Sequence, residues 1–179
     1  MKNILYALIF WVFVPNLHAY AIEYPIGQAQ IKNGMEVAAV YLQPVEMEPV
    51  GMMGDPKQTD IHLEADIQAT DDNINGFAEG DWIPYLMIQY QLERVDTGQK
   101  IQGEMMSMVA SDGPHYGDNV KLFGPGKYRL TLTIIPPSKN QHAHFGRHID
   151  KETGVAPWFD TFTLQYDFVF VGIGKKGAY

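Results

Sequence analysis

Cysteine is absent from all 179 residues. That excludes disulfides, thiolate zinc sites, cysteine-ligated iron–sulfur clusters and thiol nucleophiles. Blue-copper electron transfer, which needs a cysteine thiolate, is excluded with them. Any metal must be held by nitrogen, oxygen or thioether sulfur. Basic residues are also scarce, with 13 Lys and Arg against 21 Asp and Glu for a formal net charge of -8. Such a charge disfavours nucleic acid and anionic lipid as partners and favours cations. Long apolar runs are missing too. The longest, Ile4 to Val14, falls short of the roughly 20 residues a membrane-spanning helix needs. There is no G-x-S-x-G, H-E-x-x-H, P-loop or Gly-rich dinucleotide fingerprint, which argues against a hydrolase or a nucleotide enzyme. Carboxylate pairs for glycoside chemistry stay open, because Asp and Glu are abundant.

The amino terminus reads as an address. Lys2 supplies a positive start, Ile4 to Val14 an apolar stretch, and Ala19-Tyr20-Ala21 a small-x-small cleavage pattern. Residues 1–21 are therefore expected to be a cleaved secretory signal, and residues 22–179 a single acidic domain with no stable membrane insertion. The composition, 46% hydrophobic and 19% charged, is that of an ordinary globular chain. An exported chain without disulfides must rely on its apolar core alone.

Past the leader there is no helical periodicity of useful length, but alternation of period two recurs. Asp60 to Ala69 places Ile61, Leu63, Ala65 and Ile67 on one face and His62, Glu64, Asp66 and Gln68 on the other, the pattern of a half-buried strand with a solvated polar face. Lys127 to Ile135 and Thr161 to Val171 repeat it. Met35 to Gln43, Ile83 to Leu92 and a short stretch around Met105 to Ala110 are further strands. Turn signals such as Asn75-Gly76, Asp96-Thr97-Gly98 and Gly124-Pro125-Gly126 separate them. The expected class is all-β, two antiparallel sheets packed as an immunoglobulin-like β-sandwich, with a closed barrel as the other solution. Glu46 to Thr59 reads as a long surface loop.

Three groups could carry chemistry. His62 and Glu64, two apart on a strand, lean the same way and could share a cation. Met105, Met106 and Met108 precede a turn-rich segment that presents His115. Thioether sulfur suits Cu(I), and imidazole suits copper, iron and zinc. His142, His144 and His148 cluster within seven residues of a polar segment. Each also has a plain structural reading: a solvated strand face, methionines filling core gaps, and exposed loop imidazoles. Met47, Met52 and Met53 read as loop or core residues.

The segments MEVAAVYLQPVEMEP, HLEADIQA, WIPYLMIQYQL, MVASDGPHYG, FGRH, ETGV and GKKGAY together resemble the periplasmic iron-transport proteins of the FetP-like family, along nearly the whole mature chain. The resemblance implies an immunoglobulin-like homodimer that binds copper and iron in the periplasm beside a high-affinity inner-membrane iron permease. It places copper ligands at His62, Met108, His115 and His148, with Glu64 as a carboxylate linked to a second metal position. It also implies that His148 reaches the site from a neighbouring subunit. The chain departs from the family pattern at Ser107, where proline is expected, and at Ala178, where glycine is expected. The expected function is capture of iron and its delivery to the permease, with copper assisting a redox step. An exported copper-dependent oxidoreductase, either a ferric reductase or a superoxide-consuming enzyme, is the alternative.

Overall fold

The computed structural model describes residues 22–172, so the expected signal and the GKKGAY tail, with Ala178, lie outside it. The fold is all-β, with one short 3-10 turn at Pro137–Lys139. Its strands are β1 (Tyr24–Pro25), β2 (Gln30–Lys32), β3 (Met35–Leu42), β4 (Ile61–Ala69), β5 (Met87–Arg94), β6 (Lys100–Ala110), β7 (Gly113–Val120), β8 (Gly126–Ile135) and β9 (Phe162–Phe170). They form one antiparallel sheet in the order β1-β3-β4-β7-β6-β5-β8-β9, with β2 added beside β3.

The sheet curls because β6 serves both halves. Its first part, Lys100 to Met105, pairs with β5, and its second part, Met106 to Ala110, pairs with β7. The curl brings β3 against β9. Tyr41 meets Phe168 and Phe170, each at 5.7 Å between ring centres, and the Tyr166 hydroxyl donates to the Val37 carbonyl at 2.9 Å. The inward residues of each strand form a single apolar cluster between the two halves, with Ile61, Leu63, Ile67, Leu130 and Leu132 fully buried. Each such side chain contributes about 1.5–3 kcal/mol by leaving water.

The alternation in β4, β8 and β9 gave their positions to within a residue or two, and the expected strand Met35 to Gln43 matches β3 as closely. The sequence reading does not name β1 or β2, and along β5, β6 and β7 the structure differs from it. β5 begins at Met87 rather than Ile83, because Pro84 has no N–H and Tyr85 adopts a left-handed backbone (φ 62°). That segment is instead pinned by Tyr116, whose hydroxyl donates to the Ile83 carbonyl and accepts from Leu86 N–H. β6 starts at Lys100, earlier than its apolar residues suggest. The turn-rich segment after Met108 is a strand: Ser111-Asp112 closes a tight hairpin, Gly113 takes φ 140°, and β7 follows as a central strand.

Candidate metal centre

Register builds the site. Directly paired residues of neighbouring strands face the same side of a sheet. His62 pairs with Asn119 and Glu64 with Gly117 between β4 and β7. On the other side of β7, Gly117 pairs with Met106 and His115 with Met108 of β6. Gly117 thus stands in the middle of a patch bounded by Glu64, Met106, His115 and Asn119. Having no side chain, it leaves a gap there. A Cβ at Gly117 would lie 2.7 Å from His62 Nε2.

Three donor atoms face that gap. Glu64 Oε1 is 3.4 Å from His62 Nε2 and 3.3 Å from His115 Nε2, and one donor atom from each residue lies within 4.8 Å of the other two. The two imidazoles meet edge to face, 6.0 Å between centres. All three residues are buried, and His62 is wholly inaccessible. At His62 and Glu64 the polar face of β4 is therefore not the solvated face its sequence suggests, because the segment between β3 and β4 lies over it, while Gln68 further along stays exposed. Neither Nε2 has a hydrogen-bond partner among the described residues. Buried nitrogen lone pairs left unpaired are costly unless something else satisfies them. Two imidazole nitrogens and a carboxylate oxygen are a donor set suited to copper, iron or zinc.

Burial sets the charge state. It pushes the His62 imidazole down to about 4, with neighbouring His115 acting in the same direction and the Asn119 hydrogen bond opposing it. Burial also pushes the Glu64 carboxyl up to about 8, helped by the charges of Asp66, Glu23 and Asp112. At neutral pH the close His62–Glu64 contact therefore joins two mostly neutral groups rather than an ion pair.

Met108, half-buried and opposite His115, lines a cavity of about 820 Å³ with Glu64, His115, Met47 and Met106. The fold therefore brings four of the five expected residues to one place. His148 is not among them. It lies exposed on the segment between β8 and β9, with Nδ1 2.7 Å from Thr153 Oγ1. His142 and His144 stay outside the buried cluster as well. Ser107, where the resemblance leads one to expect proline, pairs with Tyr116 inside the β6–β7 ladder, and the register of Met108 is regular.

Sequence reasoning missed Gly117, Asn119 and the carboxylates Glu23, Asp66 and Asp112. Burial raises Asp66 and Glu23 above ordinary carboxyl values, and Asp112 adds to both effects. Strand parity could have found Asp66, two residues beyond Glu64. It could not have found Glu23, which comes from the chain before β1. Met47, read from sequence as loop or core, is a loop residue at the cavity.

The chain is similar in sequence and fold to known proteins. The chain belongs to the Fe2+ transport protein family, whose pattern covers residues 20–172. A UPF0423 protein of Brucella abortus is 65% identical over 161 residues, 90% of this chain and 88% of that one. The 34 kDa membrane antigen of Treponema pallidum is 38% identical over 151 residues, 81% of this chain and 72% of that one. Among solved structures, a copper-bound variant of FetP from uropathogenic Escherichia coli strain F11 is 52% identical. It superposes with a TM-score of 0.81 over 84% of this chain and 99% of that one. Copper-reconstituted P19 from Campylobacter jejuni is 51% identical, with a TM-score of 0.82 over 86% of this chain and 99% of that one. Among the described residues no helix is long and apolar enough to cross a membrane.

Proposed function

We propose that the protein is an exported, periplasmic copper- and iron-binding component of high-affinity iron uptake, which captures iron and hands it to an inner-membrane permease. The observation that carries this reading is the pair of buried, unpaired Nε2 atoms facing Glu64 over Gly117. The copper-bound FetP and P19 relatives and the iron-transport family support it. Residues 1–21 are its signal, and residues 22–179 one immunoglobulin-like domain working as a homodimer. His62, Glu64, Met108 and His115 are the metal ligands of one subunit, and His148 completes the site across the dimer.

The residues divide the work by chemistry. His62 and His115 offer nitrogen donors. Glu64 offers oxygen, a harder donor suited to iron as cargo, and must first give up a proton. Met108 offers the soft sulfur that distinguishes copper. Bound copper would supply one-electron exchange beside the iron.

Titration of the metal-free protein with copper and with iron tests this function. Met108→Leu keeps the volume and removes the sulfur. It is expected to weaken Cu(I) binding by at least about tenfold, the lower end of what losing an outer-shell partner costs, and to leave iron binding nearly unchanged. Unchanged Cu(I) affinity would remove Met108 from the site. Stoichiometric binding without sustained ferric reduction or superoxide consumption fits a transport component. Sustained turnover with a defined electron donor would make it the oxidoreductase instead.

A further inference from the structure

Asn119 is buried in β7 and uses its whole side-chain amide. Its Nδ2 donates to the carbonyls of Val45, at 2.8 Å, and Gly54, at 3.0 Å. Its Oδ1 accepts from Val45 N–H at 3.2 Å and lies 2.9 Å from His62 Nδ1. These partners fix which end of the amide is which. Turning it over would set oxygen against two carbonyl oxygens and an NH2 group against an N–H. The atom facing His62 is therefore an acceptor, so His62 Nδ1 must carry the proton. A neutral imidazole has one N–H, which leaves Nε2 bare, and Nε2 is the nitrogen facing Glu64 across the gap at Gly117.

The same side chain holds the covering segment at two points. Val45 lies just past β3 and Gly54 on the way back to β4, and between them Glu46, Met47, Glu48 and Pro49 line the cavity. The approach at Gly54 is close enough to require glycine: a Cβ there would lie 2.7 Å from the Asn119 backbone oxygen.

We propose that Asn119 is a positioning residue that locks His62 in the Nδ1–H tautomer, aims its bare Nε2 into the gap above Gly117, and ties residues 45–54 to that ring. Hydrogen bonds to the far nitrogen of a ligating imidazole fix both its tautomer and its orientation. The consequence for metal affinity rests on the function proposed above, whereas the tautomer does not.

The test is long-range 1H–15N NMR on the 15N-labelled, metal-free protein at neutral pH. The expected result is a His62 ring protonated at Nδ1 and unprotonated at Nε2, with slow exchange of the Nδ1 proton and of the Val45 amide. In Asn119→Ala the proton is expected to move to Nε2, where Glu64 lies nearby, and Val45 exchange to speed up. Copper affinity is then expected to fall by roughly 10- to 100-fold. A wild-type His62 protonated at Nε2 overturns the proposal, and this holds whether or not the variant folds. So does a folded Asn119→Ala protein whose His62 keeps the Nδ1–H form, since a purely structural role for Asn119 would loosen the loop without changing the tautomer. If the wild-type tautomer is as stated but neither copper nor iron binds, the metal-transport reading fails and the assignment of Asn119 stands.

Discussion

Gly117→Ala is expected to lower metal affinity at least a hundredfold while leaving the β fold intact. The backbone at Gly117 is not in the left-handed region, so alanine meets no conformational objection there. The obstacle is lateral. The new methyl would lie 2.7 Å from His62 Nε2, 3.0 Å from its Cε1 and 3.2 Å from the Leu63 carbonyl oxygen. Normal contact needs about 3.5 Å or more, so the imidazole must retreat by most of an ångström. The ring is wholly buried and its Nδ1 is held by Asn119, so any retreat disturbs that bond as well. A binding constellation must be held within about 0.5 Å to function, and the methyl would also fill space that an ion bound there would need. Crowding a packed site costs about 1–3 kcal/mol, which bounds the loss of stability. Calorimetric copper titration and a denaturation curve on the same sample separate the two effects. Wild-type affinity in a folded alanine variant would remove the gap from the account.

The second large effect is proton release. With the Glu64 carboxyl raised to about 8, most of it is protonated at pH 7, whereas His62, lowered to about 4, is already neutral. Because a coordinating carboxylate must be ionised, binding at pH 7 is expected to release about one proton from Glu64 and none from His62. Release should fade above pH 9. Isothermal titration in buffers of different ionisation enthalpy measures it, and Glu64→Gln should abolish the Glu64 share and weaken binding.

The same shifts shape the stability of the metal-free protein. Glu64 has a folded pKa above its unfolded value of 4.5, so its contribution is full below pH 4.5 and is lost as pH rises through about 8. Asp66 and Glu23, also raised, act in the same direction. His62 has a folded pKa below its unfolded 6.5, so its contribution is full above 6.5 and is lost as pH falls through about 4. Between pH 6.5 and 8 the Glu64 effect is unopposed by His62, and the melting temperature of the metal-free protein should fall across that window. Glu64→Gln should flatten the fall, and a rise with pH in wild type would contradict the charge states assigned here.

The part of this architecture that was legible in sequence is the part written in period two. The alternation in β4, β8 and β9 revealed both those strands and the face that carries His62 and Glu64. The segment of His115 looked like a loop, because Gly113, Pro114 and Gly117 resemble turn residues. Gly117 is instead glycine for the space it leaves, a property of three strands in register that no single strand records. Burial of His62 and Glu64 was equally hidden, since it comes from residues 43–60 folding back over an outward face. Asn119 became visible only when its partners Val45 and Gly54, distant in sequence, closed on it. The five expected metal ligands follow from the family resemblance. The fold gathers four of them within one chain, and His148 sits apart because the segment between β8 and β9 carries it away from β4 and β7.

Anomalous diffraction from crystals loaded with copper tests the central claim most directly. A copper-edge peak beside Gly117, within direct coordination distance of the Nε2 atoms of His62 and His115 and within reach of Met108 Sδ, is the predicted result. A peak confined to His142, His144 or His148, with both buried Nε2 atoms still unligated, would contradict it.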